Sequence, residues 1–342
     1  MEKKKKILLM TMLLTMSLLF SGCGGTGTPA QSAEGTEAEA EVTLEYPEKD
    51  IEIVCHTNPG DGADVYVRAV SDSINQNKLL PVLTAVVNKA GGSGANMYNY
   101  MMQKKGNPYY MMTAQPNMLT SPIQNNLDVR YTDFTPIARL ATEPLVLSVN
   151  GNSDYESMAD LIEAASAEEK AVTQAGGLAG ATEYFLSYQI EQETGVVFNL
   201  LPHAGGGSEA MVTLLAGDAD FMISNPSEVL GQVEAGKLRI LAIGTEERID
   251  LLPDVPTLTE QGINATFGMF RGIAMPGDVD EEVQDYMTKV LKKVTETGEW
   301  AKYCADNGLV PAYLTDDEFE AYLDEQSPVF EEVLASYGER LK

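Results

Sequence analysis

Two hydrophobic patterns divide the chain. At the N-terminus, Lys3 to Lys6 precede a largely apolar run over 7–20 that closes on Ser21-Gly22-Cys23. From Tyr46 onward, short apolar runs bounded by Gly, Pro or Asn alternate with stretches whose apolar residues recur at helical spacing; the first kind predicts strands and the second helices. Strands are predicted at 51–55, 83–87, 109–113, 145–149, 171–173, 196–200, 220–223 and 238–243. The run at 145–149 is the sharpest, bounded by Pro144 and by Asn150-Gly151. Helices are predicted from about Asp64, after Gly94, at 157–167, 182–193 and 208–216, and over most of the chain from Val283. This alternation predicts an α/β fold with mainly parallel sheets. No internal repeat is visible.

The N-terminal apolar run of 14 residues is short for a bilayer span and has the proportions of a secretory signal. A Cys directly after small residues looks like a bacterial lipobox, although Phe20 stands where an aliphatic residue is usual. The expectation is removal of residues 1–22 and lipidation of Cys23. Residues 23–45 are rich in Gly, Ala, Thr and Glu and hold no basic residue, so they read as a flexible acidic tether. The protein is therefore expected outside the cytoplasm, held to the bacterial cell membrane by its lipid anchor only.

The length of 342 residues and 44% hydrophobic content give room for two domains with a sizeable core. A net charge of −28 excludes nucleic acid and anionic lipid headgroups as partners. Three Cys and two His leave little for a structural zinc site or a disulfide scaffold. Four glycine-rich turns follow strands: Pro59-Gly60-Asp61-Gly62, Ala90-Gly91-Gly92-Ser93-Gly94, Ala175-Gly176-Gly177 with Gly180, and Ala204-Gly205-Gly206-Gly207. In a parallel sheet such turns lie at the carboxyl ends of strands, where ligands bind, and each leads into a helix whose free N–H groups attract an anion.

Beyond these general features, four ordered segments resemble one family. They are YPEKDIEIVCHTNPGDGAD from Tyr46, NKAGGSGA from Asn88, VRYTDFTPIARLATEPLVLSVN from Val129, and AGKLRILAIGTEERIDLLPDVPTLTEQG from Ala235. Together they resemble the substrate-binding proteins of tripartite tricarboxylate transporters, the Bug receptor family, over nearly all of 46–342. The resemblance implies a type II periplasmic-binding-protein fold: two α/β lobes with a ligand cleft between them. Lobe 1 would comprise 46–147 plus 269–342, and lobe 2 would comprise 148–268. It further implies a monomeric receptor, without cofactor or enzymatic chemistry, that delivers a small carboxylate to the large and small membrane subunits of a permease. Sensing in place of transport is an open alternative.

Carried over residue by residue, the resemblance places Thr57, Asn58, Pro59, Gly60, Asp61, Gly62 and Asp64 in the first-lobe grip, with Gln115 and Asn117 beside them. On the second lobe it places Gly177, Gly180, Ala181, Thr182, His203, Ala204, Gly205, Ser224 and Asn225. The chain departs from the family pattern at several of these positions. His56-Thr57 replace Pro-Phe, Asp61 replaces the middle glycine, and Leu178-Ala179-Gly180-Ala181 with Tyr184 replaces Gly-x-Gly-Ser/Thr and a following His. Thr182 lies one place late for the expected hydroxyl, and His203-Ala204 replace Tyr-Lys. Arg271, where the chain crosses back between lobes, either pairs with a ligand carboxylate or forms an interlobe salt bridge. Asp61 either receives an ammonium group, making the ligand an amino acid or other zwitterion, or is a solvated turn residue or helix N-cap.

Other conspicuous residues have plainer readings. His56 and His203 lack a third ligand for a metal site. Cys55 and Cys304 read as buried free thiols in preference to a disulfide, and Met97, Met101, Met102, Met111 and Met112 read as core. A surface-anchored hydrolase would need a nucleophile with a base, and Ser71-Asp72 has no His placed to serve it.

Overall fold

The computed structural model describes residues 44–177, 181–203 and 207–340. Its first segment runs β1 (Ile51–Cys55), α1 (Gly62–Gln76), β2 (Thr84–Asn88), α2 (Ala95–Met102), β3 (Tyr110–Ala114), α3 (Asn117–Gln124) and β4 (Phe134–Pro144). The second runs β5 (Val146–Asn150), α4 (Met158–Ala167), β6 (Thr173–Gly176), α5 (Glu183–Thr194), β7 (Asn199–Pro202), α6 (Gly207–Ala216), β8 (Phe221–Ser224), α7 (Pro226–Glu234) and β9 (Leu238–Ile243). The chain then returns through β10 (Gly268–Pro276), α8 (Glu281–Val294), α9 (Gly298–Asn307), β11 (Val310–Leu314) and α10 (Asp316–Arg340).

These elements form two sheets. One has six strands in the order β11-β4-β10-β3-β1-β2, and the other has five in the order β7-β6-β8-β5-β9. The expectation of mainly parallel sheets is corrected. β1 pairs in parallel with β2 and β3, and β6 with β7 and β8. β10 is antiparallel to β3 and β4, β11 to β4, and β5 to β8 and β9. Each sheet is thus a parallel βαβ half bordered by one strand that runs against it, β10 in the first and β5 in the second; β4 and β9 beyond these run with the parallel half, and β11 runs against it.

Local chemistry explains the elements that hold the site. β1 is buried at four of its five positions, as a strand covered by helices on both faces must be. α1 sinks Ala63, Tyr66, Val67, Val70 and Ile74 at helical spacing against it; each buried Val or Ile contributes about 1.5–3 kcal/mol. α4 opens on a capping box in which the Ser157 hydroxyl accepts from Asp160 N–H and the Asp160 carboxylate accepts from Ser157 N–H. From Val283 the chain is largely helical as expected, with β11 the one strand among the described residues there. β11 carries Pro311, which lacks the N–H for a second ladder, and it sits at the sheet edge.

α10 straps the second sheet to the first. It packs on β4 and α3 at its start, and at its end Tyr337 and Arg340 bond to Glu191 on α5. One apolar cluster accordingly runs through Phe185, Phe267, Phe330 and Tyr337. Cys55 and Cys304 are free and buried, and Met97, Met101, Met111 and Met112 are core.

Candidate functional site

The first wall grows from the carboxyl end of β1. Asp64, 2% exposed, accepts from Gly60 N–H and from Arg68 Nε, each at 2.8 Å, and from Asn88 Nδ2 at 2.8 Å. The Arg68 bond foremost, with those from Gly60 and Asn88, holds its carboxyl down at about 2. Asp64 is therefore the clamp that shapes the turn, with both oxygens committed. Asn88 also donates to Thr57 C=O, tying the preceding residue to the same clamp. Asp61 is exposed and its carboxylate accepts from Asn58 N–H at 3.0 Å, closing the turn without capping α1.

The second glycine turn packs behind this loop. Gly94 has φ +105°, and a side chain there would meet Asn117 Nδ2 at 2.5 Å, so only glycine fits. Asn117 donates to Ser93 C=O, which makes it a brace of that turn. His56 bonds Thr113 Oγ1 through Nδ1 at 2.9 Å. Burial, with help from the nearby Arg271 charge, lowers its pKa to about 4, so the ring is neutral near pH 7.

Arg271 on β10 lies at the centre. It is 7% exposed, donates through one guanidinium nitrogen to Gln115 Oε1, and forms an ion pair through the other with Glu143 on β4. β4 and β10 are neighbours in the first sheet, so this pair lies within that sheet and is not a bridge to the second. Gly62 reaches it directly: a methyl group at Gly62 would stand 3.9 Å from Arg271 Nη2.

The second wall is built differently from the expected hydroxyl loop. The N–H of Gly177, at the end of β6, is donated to Glu183 Oε1 at 2.6 Å, and Gly177 C=O accepts from the Tyr184 hydroxyl at 2.7 Å. Tyr184 is fully buried and packs under Gly176, so it serves the fold. Thr182 turns its hydroxyl to Met269 Sδ, and Ala181 is half-buried beside it. His203 has both ring nitrogens engaged within its own lobe, with Gly176 C=O and Thr213 Oγ1. Ser224 is buried at the end of β8, and Asn225 donates to Pro144 C=O at the crossing into β5. Gly180, Ala204, Gly205 and Cys23 lie outside the described residues.

Two acidic residues on this wall were not foreseen. Glu228, in the first turn of α7, stands 3.1 Å from where a side chain at Gly207 would begin. It keeps an open side to solvent yet is walled by protein, and that burial, with the Glu183 and Glu143 charges, lifts its pKa to about 7. Glu183, in the first turn of α5, is half-buried, and burial raises its carboxyl despite the Gly177 bond. No group of three His, Cys, Asp or Glu able to hold a metal occurs among the described residues. No helix among them is long and apolar enough to cross a membrane.

A concavity of about 1210 Å³ lies elsewhere, lined by Arg139, Thr142, Arg248, Phe267, Trp300 and Tyr322 among others. None of the ligand residues expected from sequence lines it. The first glycine turn, after β1, instead brings Gly62 against Arg271, at the carboxyl end of a parallel strand, where α/β sheets bind ligands.

A family model described as the tripartite tricarboxylate transporter family receptor matches residues 67–338. Protein BugT of Bordetella pertussis (strain Tohama I) is 23% identical over 341 residues, spanning 97% of this chain and 99% of its own. A solved TctC solute-binding protein from Polaromonas is 27% identical with a TM-score of 0.75, covering 85% of this chain and 99% of its own. An R. palustris protein solved with adipate has a TM-score of 0.68 at 20% identity, covering 86% of this chain and 99% of its own; at that distance the likeness speaks for the fold.

Proposed function

The chain belongs to the tripartite tricarboxylate transporter receptor family, and we propose that it captures a small carboxylate by lobe closure and hands it to the large and small membrane subunits of a tripartite permease. The family is one of solute receptors, not enzymes. The observation that carries the proposal is the buried Arg271 guanidinium lying against Gly62 of the first glycine turn, with Gln115 beside it. A guanidinium and backbone N–H groups at such a locus suit a carboxylate through charge-assisted hydrogen bonds. The adipate held by the R. palustris protein is a ligand of that chemical kind.

In this reading 46–147 plus 269–342 and 148–268 are the two moving lobes, and closure over the solute shifts the population toward the form the permease engages. Residues 1–22 are removed, Cys23 is lipidated, and 23–45 tethers a monomeric receptor outside the cytoplasm. The test is thermal unfolding of protein that has been denatured and refolded to strip co-purified solute, screened against mono-, di- and tricarboxylates. A ligand at ~100 times its Kd stabilises by about 2.7 kcal/mol. A raised Tm with one carboxylate class supports the proposal; no response to any carboxylate overturns it.

A further inference from the structure

The concavity of about 1210 Å³ shares no lining residue with the Arg271 group, and its walls come from both sheets. One side is the segment 244–251 that follows β9, with Phe267 just before β10; the other is α9, β11 and Tyr322 of α10. The two sides touch where Leu251 lies against the left-handed Gly308 at the end of α9: a side chain on Gly308 would begin 2.6 Å from Leu251 Cδ2. Leu251 and Val310 pack on the same apolar cluster there. Phe267, Trp300 and Leu309, all buried, extend the apolar lining.

Charge is placed unevenly around this space. Its lining cations are Arg139 and Arg248. Arg248 is exposed and paired with Glu260. Arg139 is half-buried, donates through Nε to Ala312 C=O at 2.9 Å, and lays its guanidinium 4.7 Å from the centre of the Tyr322 ring. Among the described residues no Asp or Glu lies within ion-pair distance of it. Burial works against its charge and lowers its pKa, and Tyr322 offsets only part of that. A guanidinium held out of full hydration without a carboxylate gains a charge-assisted bond when an anion arrives. Glu246, Glu247, Asp250 and Glu325, exposed around the same space, set the opposite demand, because they repel a polyanion. An anion of single charge with an apolar body satisfies both.

We infer that this concavity is a second ligand site, separate from the Arg271 cleft, that takes an apolar monocarboxylate, alkyl or aryl, with its carboxylate on Arg139 and its body among Phe267, Trp300 and Leu309. The site stands or falls independently of the receptor reading, since no cleft residue takes part in it.

The test is calorimetric titration of the full chain with octanoate and with 3-phenylpropionate, each beside its amide and its amine. Tryptophan emission is read in parallel, since Trp300 is the sole tryptophan of the chain. At least one acid is expected to bind saturably and to change that emission, with its amide and amine weaker by about tenfold, the worth of one charge-assisted bond. Arg139→Gln is expected to bring acid and amide level. Ala305→Phe, at an exposed position of α9 that lines the cavity, is expected to weaken every member of the series, and it serves should Arg139→Gln fail to fold. An amide or amine that matches its acid overturns the site, as does the absence of saturable binding by either acid. Acid binding that survives both substitutions belongs elsewhere, the Arg271 cleft included; it overturns this site and leaves the receptor reading standing.

Discussion

The N–H of Gly177 points at Glu183 Oε1 over 2.6 Å. A glycine turn followed by a helix N-terminus is a ready anion seat, and here the chain supplies the anion itself. The N–H of Gly177 is thereby taken by a carboxylate of the chain, and the turn after β6 does not present it to a solute.

Glu228 carries a pH signature. Its pKa rises from the ordinary 4.5 to about 7, so between those values the folded, ligand-free protein holds a proton that the unfolded chain has released. Stability then falls as pH rises from 4.5 to 7 and is level above. Glu228→Gln is expected to flatten this slope in a series of Tm measurements against pH and to stand above wild type at pH 8. A slope unchanged by the substitution would detach the raised pKa from Glu228.

Asp64 gives the opposite sign. Its folded pKa of about 2 lies below the ordinary 3.8, so its stabilisation is complete above pH 3.8 and is lost as pH falls through 2. In acid unfolding followed by circular dichroism, Asp64→Asn is expected to be less stable than wild type at pH 6 and to converge with it below pH 2. Equal stability at pH 6 would show that the clamp on Gly60 and Asn88 contributes nothing.

How far the chain could be read beforehand depended on whether the information was local. β1 and β9 were legible to the residue, because each is an apolar run with clear borders. β4 was not: Pro136, Arg139 and Glu143 interrupt its pattern, and its burial comes from β10 and β11 on either side, which lie far away in sequence. The same distinction governs the site. The glycine turns and Arg271 stood out by residue type, whereas Glu183 and Glu228 read as ordinary acidic residues in first helical turns. Only the fold shows what they touch: Glu183 takes the Gly177 N–H, and Glu228 stands against the Gly207 backbone.

The strap of α10 is a third point of test. Arg340 donates to both Glu191 oxygens, at 2.7 and 3.0 Å, and to Phe198 C=O at 2.6 Å, while Tyr337 donates to the same carboxylate. Arg340→Ala leaves a buried carboxylate short of its cation and is expected to cost about 3 kcal/mol, measured by denaturant unfolding. A cost below about 0.5 kcal/mol would place the pair with surface ion pairs.

Gly94→Ala tests the packing behind the first-lobe grip. At φ +105° and 2.5 Å from Asn117 Nδ2, the added methyl must displace the side chain that braces the turn. A loss of about 1–3 kcal/mol is expected, together with weaker solute binding because the turn backs the Arg271 wall. Unchanged stability would mean that the turn relaxes freely.

The most direct measurement of the central claim is titration of the refolded protein with the best ligand from the carboxylate screen, followed by chemical analysis of that ligand after prolonged incubation. Saturable binding of one molecule per chain, abolished or strongly weakened in Arg271→Ala and with the ligand recovered unaltered, is the expected result. Binding that ignores Arg271→Ala, or a ligand converted to product, would contradict a receptor that captures its solute at this cleft.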